Sequence, residues 1–377
     1  MDFLIRIPFL FLIAGLSAFL YMDGYSPFLK EEEYRNLQID ETLSVYSSGT
    51  DKNYANMVAI QPFLIPADYS TKTRFFSKIE SYLQKARNNG FLKDRTTVIF
   101  PEHIGTPLYL LGEKKEIYTV KTLTDLKNVL QSDYAQEDPR ELITEILNKK
   151  AEPTRDTYQS TFSDLAKIYK INILAGSILL PLSKINDGKI QFIDDSKERK
   201  VYAFLFSYTG SITQKLERRI LFEIEKPFAV PGMPPTEGIV VPGITNKLAV
   251  ILSYDTFSPI SYTKIIQVTD FWVSPAIKFS SELPDFRDPL FSGELNNPSK
   301  SAFKDSDAGL NPRDLWLKFG IHGRHSSTSS RSYIQIFLNG SFYDLPLSSW
   351  SSFQAKNASK QGFLEPDKHS SLINIFL

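Results

Sequence analysis

NMVAIQPFLIP (56–66), TKTRFFSKIESYLQKARNN (71–89) and TTVIF (96–100) follow one another with only short breaks. The first run is mostly apolar and stops at Pro66, which suits a buried strand. In the second, Phe75, Phe76, Ile79, Leu83 and Ala86 recur at helical spacing along one side, and Gly90 supplies a C-terminal stop. The third is again strand-like and is closed by Pro101. Strand, helix, strand is a βαβ unit, which predicts a parallel pair and an α/β domain.

The same alternation continues downstream. Residues 156–170 read as a helix through Phe162, Leu165, Ala166 and Tyr169, and INILAGSILLP (171–181) as a strand passing through Gly176. KVYAFLFSY (200–208) and SITQKLERRILF (211–222) flank Thr209-Gly210 as a hairpin. KLAVILSYD (247–255), FWVSPAI (271–277) and SYIQIFLNGSFYDL (332–345) supply further strands, with Asn339-Gly340 read as a turn. Residues 281–320 are irregular, long for a loop in a compact domain. The main domain is therefore placed at 56–350. Residues 29–55 read as a polar linker and 351–377 as a C-terminal extension ending in an apolar edge strand, 372–377. In such sheets ligand sites gather at the C-terminal ends of strands, which draws attention to Glu102, Arg218, Arg219, Glu223, Glu225 and Ser253.

The chain opens MDFLIRIPFLFLIAGLSAFLYMDGYSPF (1–28), and no charge falls between Ile7 and Met22. With Arg6 snorkelling, residues 3–22 reach the roughly 20 apolar residues needed to cross a bilayer. The expectation is a single-pass anchor with the main domain outside the cytoplasm. A cleaved secretory signal is the alternative, and a buried core helix a third reading.

Over the 377 residues, 43 Lys plus Arg balance 43 Asp plus Glu, so there is no positive field to attract nucleic acid. Neither GxGxxG nor GxxxxGK[ST] occurs. RHSSTSSR (324–331) could hold an anion but has the composition of a solvated turn. The four histidines, His103, His322, His325 and His369, lack a metal-binding spacing, and no cofactor is expected. Cysteine is absent, which excludes disulfides, Cys-ligated metals and any thiol nucleophile.

VAIQP (58–62), VIFPEHIG (98–105), DLAKIYKINILAGS (164–177), VYAFLFSYTG with RRILFEIE (201–225), LAVILSYDTFSP (248–259), FWVSPA (271–276) and SSRSYIQIFLNG (329–340), in this order, resemble the carbon–nitrogen hydrolase (nitrilase) superfamily. That family includes amidases, nitrilases and the membrane enzyme apolipoprotein N-acyltransferase. The resemblance implies an α/β fold, an α-β-β-α sandwich, here preceded by one N-terminal hydrophobic helix, and a homodimer. It also implies a site made from a general-base Glu, an oxyanion-stabilising Lys, an acylated Cys and a second Glu. Glu102 matches the first Glu. The Lys position falls on Arg218, or on Arg219 if the register slips by one, and the second Glu on Glu223 or Glu225. The Cys-aromatic-acid triplet is Ser253-Tyr254-Asp255.

Both replacements count against the family's usual reaction. A serine hydroxyl is much harder to ionise than a thiol and needs a well-placed base. Arginine keeps the charge but presents a broad planar fork that can clamp a carboxylate. Read without the resemblance, Glu102 is a surface loop carboxylate, Arg218 and Arg219 a solvated face, Ser253 a small buried polar residue, and Asp255 a turn residue. Three functions stay open. One is a membrane-anchored, catalytically impaired protein binding a small amide, a carboxylate or a protein partner. Another is an amide hydrolase or N-acyltransferase using Ser253. The third is a structural or assembly subunit. Glu102 within hydrogen-bond reach of the Ser253 hydroxyl in an open pocket would favour the second. Arg218 locked onto Glu102, with Ser253 held by backbone, would mean a structural ion pair.

Overall fold

The computed structural model describes residues 26–377 except 135, 194–196, 234–236, 246, 266–268, 279–291, 295–296, 302–303, 305–306, 308, 327–330, 346, 348, 357–361 and 365–368. The longer helices are α1 (Glu31–Leu37), α2 (Lys72–Asn88), α3 (Leu123–Tyr134), α4 (Pro139–Lys149), α5 (Ala151–Tyr169) and α6 (Pro312–Phe319), and short ones span Glu116–Thr119, Ile260–Thr263 and Ile321–Ser326. One sheet contains β1 (Thr42–Ser48), β2 (Asn56–Gln61), β3 (Thr96–Ile99), β4 (Asn172–Pro181), β5 (Arg199–Phe206) and β6 (Ile212–Glu217). The other contains β7 (Ile239–Val240), β8 (Lys247–Val250), β9 (Phe271–Ala276), β10 (Ser332–Phe337), β11 (Ser351–Gln354) and β12 (Gly362–Leu364). The last strand, β13 (His369–Phe376), returns to the first sheet, whose order is β1-β13-β2-β3-β4-β5-β6; the second runs β7-β8-β9-β10-β11-β12.

The βαβ expectation holds. α2 is capped by the Thr71 hydroxyl, which accepts from the Arg74 amide, and β2 and β3 pair in parallel. Alternation along each strand sorts side chains into layers. Val58 and Ile60 of β2 join Phe75, Ile79 and Leu83 of α2 and Phe162 and Leu165 of α5 in one core. Met57 and Ala59 face the opposite way and pack with Leu248, Val250, Val273, Ile334 and Ile336 of the second sheet. The outer face of that sheet, through Ala249, Trp272 and Tyr333, is covered by Tyr262, Ile265 and Ile321. The layers are therefore helix, sheet, sheet, helix, and every strand of β2–β4 is buried on both faces, as continuous apolar runs require.

Several expectations are corrected. Residues 29–55 carry α1 and β1, and β1 is the outer strand of the first sheet. The apolar C-terminal run lies inside that sheet, with β13 parallel to β1 and antiparallel to β2. Residues 351–364 form β11 and β12. Asn339-Gly340 is no turn: it pairs in parallel with Phe63-Leu64. Part of the irregular stretch, 292–319, holds a strand pair and α6, whereas 279–291 lies outside the described residues.

No helix among the described residues is long and apolar enough to cross a membrane. Residues 3–22, on which the anchor, the N-terminal hydrophobic helix and the signal alternative were placed, lie outside the described residues. The single-pass, extracytoplasmic reading is withdrawn on this finding, and the membrane drops out of the expected partners.

Candidate functional site

The site is built by three turns at the ends of β3, β6 and β8. The first depends on an irregularity in β4. Its pairing with β5 shifts register between Leu174 and Ser177, and Gly176 there has φ +67°. A Cβ on Gly176 would sit 1.9 Å from the Pro101 carbonyl oxygen, so only glycine allows the 101–105 turn to approach β4 so closely. Ser177 then anchors that turn: its hydroxyl accepts from the His103 amide at 2.8 Å and its carbonyl from the Gly105 amide at 3.0 Å. This aims Glu102 and His103 inward, and both are buried.

The chain leaving β6 carries Arg218. Its backbone is tied on both sides, the amide donating to the Val201 carbonyl and the carbonyl accepting from the Gly232 amide. The Asp255 carboxylate holds the next two residues by accepting from the amides of Arg219 (3.0 Å) and Ile220 (2.7 Å). Arg219 turns away to the Ser258 hydroxyl. Beyond β8, Ser253 opens a short 3-10 turn, Ser253–Phe257, with φ +41°. A positive φ at a non-glycine residue is strain of the kind that clusters at functional sites.

Arg218 is the hub, with no solvent exposure. Its Nη1 lies 3.1 Å from Glu102 Oε1, its Nη2 pairs with Glu225 Oε2, and its guanidinium sits 4.6 Å from the centre of the Phe222 ring. Glu225 also accepts from the Phe222 amide at 2.8 Å and lies 2.7 Å from His103 Nε2. The His103 Nδ1 meets the Thr106 hydroxyl at 2.8 Å. Burial, and then the charge of Arg218, hold the His103 pKa well below its usual value. The ring is therefore neutral, and the network fits a proton on Nε2 donated to Glu225. The Ser253 hydroxyl donates to the Ile277 carbonyl at 3.2 Å.

Burial pushes the Glu102 pKa up to about 7, against the opposing pull of Arg218 and of the neighbouring Ser253 hydroxyl. Burial likewise raises Asp255 to about 6, opposed by the two amides that it accepts from. Arg218 serves two buried carboxylates, Glu102 and Glu225, and burial favours keeping a proton on Glu102.

The structure brings Glu102, Arg218, Glu225 and Ser253 together and leaves Glu223 out: Glu223 is exposed and pairs with Lys226. It also recruits His103, whose adjacency to Glu102 was the only sequence signal for it. Ser253, Glu102 and Arg218 all have zero exposure, so the small amide or carboxylate ligand expected from the sequence has no opening onto them. His322 and His325 are engaged elsewhere, with the Tyr333 hydroxyl and the Arg331 carbonyl. No group of three metal-ligating side chains occurs among the described residues.

The chain is similar to several solved structures. An amidase from Nesterenkonia sp. aligns at 13% identity and a TM-score of 0.49, covering 86% of this chain and 90% of that one. A cysteine-to-serine variant of the Nesterenkonia AN1 amidase, from the nitrilase superfamily, aligns at 14% and 0.47, covering 86% and 92%. A carbon–nitrogen hydrolase from Helicobacter pylori G27 aligns at 11% and 0.45, covering 85% and 88%. The likeness is one of fold. No protein-family model and no curated protein matches the chain.

Proposed function

We propose that this chain is a carbon–nitrogen-hydrolase-type protein whose catalytic centre has become a buried ion cluster, and that it works by binding rather than by hydrolysis or acyl transfer. The observation that carries this reading is Arg218, fully buried and spanning Glu102 and Glu225, with the Ser253 hydroxyl buried and 3.2 Å from the Ile277 carbonyl. A guanidinium at 3.1 Å from the would-be base opposes its taking a proton from serine, and with all three groups at zero exposure no substrate reaches them. The chain has no cysteine to take over the role.

A second reading, a serine acyl-transfer enzyme, draws on one observation. Glu102 has a pKa of about 7 with the Ser253 hydroxyl beside it, which is where a general base works best near neutral pH. Incubation of the folded protein with a fluorophosphonate, followed by peptide mass spectrometry, separates the two. We expect Ser253 to remain unmodified. Stoichiometric labelling of Ser253 that disappears in Ser253→Ala would overturn the proposal and install the enzyme.

A further inference from the structure

His103 also lines a cavity of about 190 Å³, which none of Glu102, Arg218, Glu225 and Ser253 lines. Its wall is made by Leu110, Ile277, Leu338, Phe342, Leu345 and Leu347, and exposed Leu123 stands at its rim. Among the described residues, three lining side chains carry polar atoms, and each of them is committed to the protein. The His103 nitrogens face Thr106 and Glu225. The Thr106 oxygen also accepts from the Leu179 amide at 3.1 Å. The Tyr343 hydroxyl donates to the Ile117 carbonyl at 3.0 Å.

We infer that this cavity is a binding site for a small uncharged apolar molecule, of the size of a benzene ring or a short branched hydrocarbon chain. The volume sets the size, since an enclosed apolar cavity of about 150 Å³ takes up benzene. The chemistry sets the class. A charged or strongly polar ligand would give up its water and find no free side-chain partner among the described lining residues, whereas an apolar one gains by leaving water. The site needs no participation from Glu102, Arg218 or Ser253, so it stands or falls separately from the proposed loss of catalysis.

The test is toluene uptake by the full chain, measured by headspace gas chromatography, with melting temperatures recorded alongside for toluene, acetamide and propionate. One toluene per chain is expected, with a rise of about 2 °C near saturation, and no rise with acetamide or propionate. Leu345→Trp, filling the cavity from a half-buried wall position, is expected to weaken toluene uptake at least tenfold. Leu110→Trp serves the same purpose should Leu345→Trp fail to fold. Absent uptake, equal stabilisation by acetamide, or undiminished uptake in a folded filling variant would each overturn the assignment.

Discussion

At Glu102 the sequence context, a strand followed by Pro-Glu, names the residue but not its charge. The carboxyl is buried and its pKa is raised from 4.5 to about 7, chiefly by burial. A raised carboxyl pKa stabilises the fold fully below the unfolded value, and that contribution is lost as pH climbs through the folded value. Asp255, raised to about 6, acts in the same direction. His103, held neutral by burial, acts in the opposite one: its contribution is present above the ordinary histidine pKa and lost as pH falls. Glu102→Gln keeps the shape and removes the titration. It is expected to shrink the loss of stability between pH 5 and pH 8 by about 2–3 kcal/mol, as read from urea unfolding at the two pH values. An unchanged or steeper loss would show that Glu102 does not titrate in this range. The residue types were legible in RRILFEIE, but the choice between Arg218 and Arg219, and between Glu223 and Glu225, was not. Neighbours along a chain ending a strand point to different sides, and only the turn conformation says which side is inside.

The decisive element is the bulged strand β4. INILAGSILLP reads plainly as a strand, and its glycine is visible, but nothing local says that Pro101 will lie against it. With φ +67° and a carbonyl oxygen 1.9 Å from the place of a Cβ, Gly176→Ala suffers both left-handed strain and a backbone clash. It is expected to destabilise the protein by at least ~2 kcal/mol. Urea unfolding of the variant checks this, and a cost below ~0.5 kcal/mol would mean that the 101–105 turn does not need the close approach. The misread elements share a cause. The 29–55 segment, the Asn339-Gly340 pair and the 351–364 strands are short, polar or irregular, and become strands through partners that local periodicity cannot reveal.

Across the whole molecule, β13 joins β1 to β2 inside the first sheet although its pairing partners lie some three hundred positions earlier in the chain. It buries Leu372, Ile373 and Ile375 completely. Removal of 369–377 would leave β1 without a neighbour and uncover both faces of the sheet at that point. The truncated chain is expected not to fold cooperatively, as shown by loss of a sigmoidal urea transition. A retained transition would make β13 an accessory strand.

By itself, the sequence determined the alternation of strands and helices, the sandwich through its ordered resemblances, the absence of any thiol, and the residues from which a site could be made. These follow from apolar periodicity, breakers and composition, all of which act over a few residues. The tertiary structure alone decided that β13 is interior, that Gly176 docks the Glu102 turn, and that Arg218 rather than Arg219 closes on two carboxylates. It also decided that His103 lines an apolar cavity. Each of these depends on contacts between residues distant in the chain, where burial sets the cost of a charge and close packing sets which neighbour fits.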